Sequence, residues 1–197
     1  MDNIEAFPDA PISGNGVVST EFLHSGTDRF LDACQYVHQR PYGYNSDRDD
    51  LQILFKEGFG SCTTKHAVIA TLAEELGLPV FKNIGIYAMT EDIVTGTVAI
   101  LKAFNLPYIP MVHCFLVYED FRVDLTEGNR NGKNRAIDQF LYTVKVIPNI
   151  TSKDEYLLYR TALKTHVLIR KEFQGVDIKR ILQAREKGLA QLKANIT

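Results

Sequence analysis

Cys62 follows Phe59-Gly60-Ser61 and opens a run in which Val68, Ile69, Leu72, Ala73 and Leu76 recur at helical spacing. That spacing predicts a helix from Cys62 to Leu76, with Ser61 as its N-cap, and Gly77 and Pro79 mark its end. A thiol on the first residue of a helix lies in the field of its N-terminus, which favours thiolate. An ordinary thiol ionises near about 8.5, and a helix N-terminus or a neighbouring imidazolium lowers that value. The exposed N–H groups of the same turn could receive a developing oxyanion. A free cysteine is more often a small buried hydrophobe, so the chemical reading needs a base.

The base is sought in His113-Cys114-Phe115-Leu116-Val117-Tyr118-Glu119-Asp120-Phe121-Arg122-Val123-Asp124-Leu125, two runs rich in β-branched and aromatic residues that read as a hairpin. With the turn centred between Glu119 and Asp120, Tyr118 faces Phe121, Phe115 faces Asp124 and His113 faces Thr126. His113 and Asp124 then share a face as diagonal neighbours, about 5.5 to 8 Å apart between backbones. An Asp124 carboxylate bonded to the His113 imidazole would fix its tautomer and stabilise its cation, leaving the other nitrogen to take the Cys62 proton. A shift of one residue in register would break the arrangement.

The elements that must position these residues follow from the same pattern. Met1 to Gly26 reads as an irregular lead-in, after which Ser25 or Thr27 caps a helix with Phe30, Cys34, Val37 and His38 on its stripe, ended by Arg40-Pro41. Pro41 to Asp50 reads as a loop and Leu51 to Phe55 as a short helical or extended piece. Beyond the Cys62 helix, Val80 to Ala88 reads as a strand. Thr90 with Glu91 and Asp92 opens a helix to about Phe104, closed off by Pro107 and Pro110. This helical run either lids the cleft or packs as ordinary core. Glu127 to Arg135 is a Gly- and Asn-rich loop, Phe140 to Ile147 a strand, and Ser152 with Glu155 a capping box for a helix to about His166. A final helix near Asp177 to Ala194 carries Ile178, Ile181, Leu182, Leu189 and Leu192 on one stripe. The fold class expected from these elements is α+β.

In this order the chain resembles the transglutaminase-like superfamily of papain-type thiol enzymes. The resemblance lies in GSCTTKHAVIATLAEELGLPV, residues 60 to 80, and HCFLVYEDFRVDLTEG, residues 113 to 128, and more loosely in the helix near Phe30 to Gln39. That family opens a buried helix with Gly-x-Cys and ends it at Leu-Gly-hydrophobic-Pro. A later strand starts with His, and the next strand ends with Asp before a hydrophobic residue and Thr. The matching positions are Gly60, Cys62, Leu76, Gly77, Pro79, His113, Asp124 and Thr126. The resemblance implies a nucleophile helix packed against an antiparallel sheet, with Cys62 as nucleophile, His113 as general base and acid, and Asp124 as the orienting carboxylate. Relatives often carry Trp near the His and before the Asp; this chain has no Trp, and Phe115 and Phe121 stand nearest. For the upstream oxyanion donor of relatives, Gln39, Tyr44 and Asn45 are the candidates.

Composition bounds the alternatives. The 197 residues, 45% of them hydrophobic, suit a single domain, residues 1–197, with a core over about 27–150 and a helical C-terminal extension over about 152–195. Lys and Arg total 22 against 24 Asp and Glu, so the formal charge of -2 gives no general attraction to nucleic acid or an anionic membrane. The ten basic against five acidic residues after position 149 read as a solvated helix face. The acidic start, Asp2, Glu5 and Asp9, is not a signal peptide, and Val98 to Tyr118 is broken by Lys102, Asn105, Pro107, Pro110 and His113, so it does not span a membrane. Three widely spaced cysteines, Cys34, Cys62 and Cys114, suit a reducing cytoplasm, where the sequons at Asn149 and Asn195 would go unused.

Two motifs give rival readings. Cys62 and His66 with His113 or Cys114 could be drawn as a zinc site, but His113 and Cys114 point to opposite faces of a strand, which leaves three ligands at best; His66 reads instead as a packed or hydrogen-bonded neighbour. Gly128 to Lys133 lacks Walker spacing and reads as a mobile turn, while His24, His38 and His166 stand in contexts without chemistry. The expected function is thiol-dependent acyl transfer on an amide, peptide or ester carbonyl of a protein, peptide or small amide, needing no cofactor or metal. Hydrolysis is favoured over transamidation, since no amine-binding feature is legible. The alternative is a catalytically silent binding or scaffold module on the same fold.

Overall fold

In the computed structural model, residues 3–14 and 16–196 are described; Met1 and Asp2 of the acidic start and Thr197 of the second sequon lie outside them. The described residues form seven α-helices and one four-stranded antiparallel sheet, an α+β arrangement. Helices α1 (Val17–His24), α2 (Phe30–Gln39), α3 (Ile53–Glu57) and α4 (Cys62–Glu75) precede strand β1 (Phe81–Met89). Helix α5 (Thr97–Phe104), strands β2 (Ile109–Tyr118), β3 (Phe121–Val123) and β4 (Tyr142–Lys145), and helices α6 (Ser152–Ala162) and α7 (Ile178–Ala194) follow. The sheet order is β3-β2-β1-β4. No helix among the described residues is long and apolar enough to cross a membrane.

The chain divides into two compact units. The first comprises the described residues up to Ile84 with Cys114–Asn129 and Lys145–Thr151; the second comprises Gly85–His113, Arg130–Val144 and the described residues from Ser152 on. In the first, Val18, Phe22, Phe30, Cys34 and Val37 pack with Val68, Ile69 and Leu72 of α4 and with Leu116, Val123 and Leu125. In the second, Tyr87, Met89, Ile109 and Met111 pack with Tyr159, Leu163, Phe173, Ile181 and Leu192. Gly188 lets α7 lie close on these strands, since a Cβ there would meet Met89 Cε at 2.8 Å.

The hairpin has the expected register: Tyr118 pairs with Phe121, Val117 with Arg122 and Leu116 with Val123. Glu119 takes a left-handed φ of 51° to close the turn. The ladder ends at Val123 rather than Leu125, because Asp124 and Thr126 fold into a side-chain-closed turn. Helix α4 spans Cys62–Glu75 with Ser61 at the N-cap, and Gly77 takes the left-handed conformation just beyond it, φ 69°.

Three expectations differ from the structure, and each time a carboxylate outside the local pattern supplies the cap. The supposed lead-in contains α1, whose first N–H groups are taken by Glu75 at the far end of α4: Val18 N–H donates to Oε1 at 3.0 Å, and Ser19 donates to Oε2 from N at 2.7 Å and from Oγ at 2.6 Å. Gly16 admits that carboxylate, since a Cβ there would lie 1.9 Å from Glu75 Cδ. Neither Ser25 nor Thr27 caps α2. Ser25 closes α1, and Asp9 serves α2 by accepting Leu31 N–H at 3.3 Å and Arg29 Nε–H at 2.6 Å. The helix expected from Thr90 begins only at Thr97, after a left-handed Gly96. Glu91 caps it from outside by accepting the N–H groups of Gly96 at 2.9 Å and Val98 at 2.7 Å. The helix from Ser152 runs as α-helix to Ala162 and continues through a π turn at Leu163–Val167.

Removing the Glu75 carboxylate strips three hydrogen bonds from α1 at once. Glu75→Ala is therefore expected to cost about 2 kcal/mol in urea unfolding, with Glu75→Gln recovering part of it.

Candidate functional site

The chain enters α4 through a turn fixed on every side. Gly60 N–H donates to Pro41 O at 3.1 Å and Gly43 N–H to Gly60 O at 3.2 Å, so the loop after α2 lies alongside the residues that precede Cys62. Thr64 Oγ1 accepts Ser61 N–H at 2.9 Å and donates to Asn45 Oδ1 at 2.8 Å, while Asn45 Nδ2 donates to Phe59 O at 2.9 Å and Glu57 Oε2 at 2.8 Å. Both Asn45 amide hydrogens are thus engaged, which removes it as an oxyanion donor and makes it a brace for the turn. Of the other two candidates, Gln39 is exposed at the end of α2, and Tyr44 packs edge-on to Tyr42 with centroids 5.9 Å apart.

Cys62 is the first residue of α4 and is half-buried, whereas Cys34 and Cys114 are sealed. Burial pushes the Cys34 thiol well above the ordinary range. Of these three thiols, Cys62 is the one that a solvent-borne reagent can approach.

Beyond Cys62, the N-terminal half of helix α4 is enclosed: Thr63, Thr64, Lys65 and His66 are buried, as are Val68 and Ile69. Every polar group there has a partner. Thr63 Oγ1 lies 3.7 Å from Cys114 Sγ, and its carbonyl accepts from the buried Lys82 Nζ at 3.0 Å. His66 Nδ1 donates to Cys62 O at 2.6 Å, and its Nε2 accepts Leu125 N–H at 2.9 Å. The ring is thus neutral with its hydrogen on Nδ1, and it is the hydrogen-bonded neighbour expected. The same Nε2 lies 3.5 Å from Asp124 Oδ1.

The three expected site residues are placed as follows. Cys62 and Asp124 belong to the first unit, where His66 ties the backbone of one to the segment carrying the other. Asp124 is buried, and its Oδ1 accepts Thr126 N–H at 2.8 Å and Thr126 Oγ1–H at 2.7 Å. His113 is 1% exposed on β2, in the second unit, with its ring edge-on to Tyr87 at 6.4 Å. Among the described residues, no group of three or more His, Cys, Asp or Glu side chains is arranged to hold a metal ion.

Sequence reasoning missed Lys65 and Lys82, both buried ammonium groups bonded to backbone carbonyls. Burial lowers the Lys65 pKa to about 8, with Asp124 opposing that shift and Arg40 adding to it. Their signal was weak: a lysine in a helix reads as surface unless the whole helix is known to be enclosed. His38, set aside as inert, donates from Nδ1 to Leu125 O at 3.2 Å, and His166 stacks on Tyr142. The loop at Gly128 was expected to be mobile, yet Asn129 Oδ1 is taken by Lys65 Nζ.

No family model, no curated protein and no solved structure matches the chain.

Proposed function

We propose that the protein is a thiol acyl-transfer enzyme of transglutaminase-like type, with Cys62, His113 and Asp124 as its catalytic residues. The observation that carries this reading is Cys62 itself: a half-exposed thiol at the start of an enclosed helix, behind a turn pinned at Phe59, Gly60 and Ser61, while the other two thiols are sealed. The hairpin register from which the pairing of His113 with Asp124 is argued, Tyr118 opposite Phe121 and Leu116 opposite Val123, supports the reading.

In the proposed reaction the Cys62 Sγ–H proton passes to His113 as sulfur bonds to the substrate carbonyl carbon. The carbonyl oxygen becomes an oxyanion facing the first-turn N–H groups. The C–N or C–O bond then breaks, with His113 returning the proton to the leaving amine or alcohol, and an acyl thioester remains on Cys62. Water attacks the thioester, His113 takes its proton, and acid and thiol are released. Amide, peptide or ester hydrolysis is favoured over transfer to an amine, and the steps balance without a cofactor.

The test is alkylation by iodoacetamide across pH, with the modified residue mapped. Cys62 is expected to react first, with a midpoint below the about 8.5 of an ordinary thiol, and to lose that advantage in His113→Ala. Slow alkylation at Cys62, indifferent to His113, would refute the enzyme reading and leave a silent binding module.

A further inference from the structure

The segment that follows β3 carries Asp124, whose carboxylate is tied locally to Thr126. The segment is gripped from two helices. His66 accepts the N–H of Leu125 at 2.9 Å, and His38 donates to the carbonyl of the same residue at 3.2 Å, so Leu125 is held through the peptide groups on both sides of its Cα. Asp124 O accepts Glu127 N–H at 3.3 Å and Thr126 O accepts Asn129 N–H at 3.3 Å, which carries the turn on to Asn129. At that far end Lys65 takes Asn129 Oδ1, while the same ammonium donates to His38 O at 3.1 Å and Arg40 O at 2.5 Å. One buried cation thus joins the C-terminal end of α2, the first turn of α4 and the turn that presents the carboxylate.

We propose that Lys65 is a positioning residue for the reaction of Cys62, fixing the Asp124 turn to α4 through Asn129 and to the end of α2 through the His38 and Arg40 carbonyls. The inference rests on the enzyme reading above, since a carboxylate needs fixing to this degree only if its direction matters. Lys65 does not touch the reacting atoms. The three acceptors use all three of its N–H hydrogens, which leaves none for a substrate. A lysine restrained to this extent pays desolvation, and its lowered pKa reflects that cost. A purely space-filling role would be met by methionine or leucine without it.

The experiment follows the pH profile of Cys62 alkylation by iodoacetamide in the full chain. Wild type, Lys65→Met and Asn129→Ala are compared, and Cys34 and Cys114, both sealed in the fold, report on its integrity. In Lys65→Met the Asp124 turn loses its tie to α4 through Asn129, and the proposed partner of the imidazolium is less firmly oriented. Cys62 alkylation near neutral pH is expected to fall about tenfold, and its midpoint to move up by about one unit, with Cys34 and Cys114 still protected. Asn129→Ala, which removes one acceptor and no charge, should give the same direction at about threefold.

A midpoint that moves down in Lys65→Met would mean that Lys65 only screens Asp124, and would overturn the proposal. So would an unchanged profile in both variants. Should Lys65→Met expose Cys34 and Cys114, Asn129→Ala decides alone. If wild-type Cys62 reacts as an ordinary thiol, the enzyme reading fails and the positioning role with it. An activated, His113-dependent Cys62 that ignores both substitutions removes the positioning role only.

Discussion

His113→Ala is expected to slow acylation of Cys62 by p-nitrophenyl acetate at neutral pH by about thirtyfold, the ratio of a mostly ionised thiol to one that is a few per cent thiolate. The intact protein should gain one acetyl group in the wild type and almost none over the same interval in the variant, and Cys62→Ala should show none at any time. The size of the effect follows from thiolate population. If the imidazole holds the thiol proton, most of Cys62 is nucleophilic near pH 7; without it, only a few per cent is. The helix N-terminus persists in the variant, since Ser61, Thr64 and Asn45 still pin the turn, so a residual rate above that of a free thiol is expected. Intact-mass kinetics with peptide mapping measure this directly. Equal acylation rates in the two proteins would remove His113 from the mechanism.

The two features behind that prediction are both plain in the sequence. The start of α4 is written locally: Gly60, Ser61 and Cys62 precede an apolar stripe, and Gly77 stops it, so cap, helix and terminator are contiguous. The hairpin register is local as well, because a two-residue turn between runs of β-formers fixes the parity of both strands. What lies between these elements in space is hidden. The apolar stripe of α4 suggests that its other face meets water, yet Thr63, Thr64, Lys65 and His66 are enclosed and matched one by one to Cys114, Asn45, Asn129 and Leu125. Each of those partners lies at least 19 residues away in sequence. Periodicity reports which residues are apolar, and only the tertiary fold decides which polar ones acquire partners good enough to be buried.

The helix starts that the sequence misled on have the same origin. Ser25, Thr27 and Thr90 are residue types that cap helices, and local reasoning assigns them that work. The caps come instead from Glu75, Asp9 and Glu91, carboxylates that accept two or more donors each. A carboxylate facing several N–H groups outcompetes a single hydroxyl, both through charge on each hydrogen bond and through the helix dipole. Hydrogen bonds to backbone N–H also hold Glu91 below the usual carboxylate range. Helix α1 could not be read from residues 3–24 because the atom that completes it lies 56 positions away.

The second large effect concerns stability, and its sign follows from Lys65. Its pKa is about 8 in the fold against an ordinary 10.5. Below pH 8 folded and unfolded chains both hold the proton, and the full cost of burying the cation is present. As pH rises from 8 toward 10.5, the folded state releases a proton that the unfolded state keeps, so stability rises. Relative to Lys65→Met, the wild type should gain about 2 kcal/mol between pH 7 and 9.5, somewhat less after screening. The difference between the two proteins is the quantity to measure, because other groups pull the opposite way. The buried Cys34 thiol, raised by desolvation, keeps its proton in the fold while the unfolded chain loses it above about pH 9, and Tyr108, raised to about 12, does the same above about pH 10. Those contributions are common to both proteins and cancel in the comparison. Urea unfolding at half-unit pH steps would resolve the slope. Parallel curves for wild type and Lys65→Met would mean that the buried ammonium keeps an ordinary affinity for its proton, and that its three acceptors fully offset the loss of water.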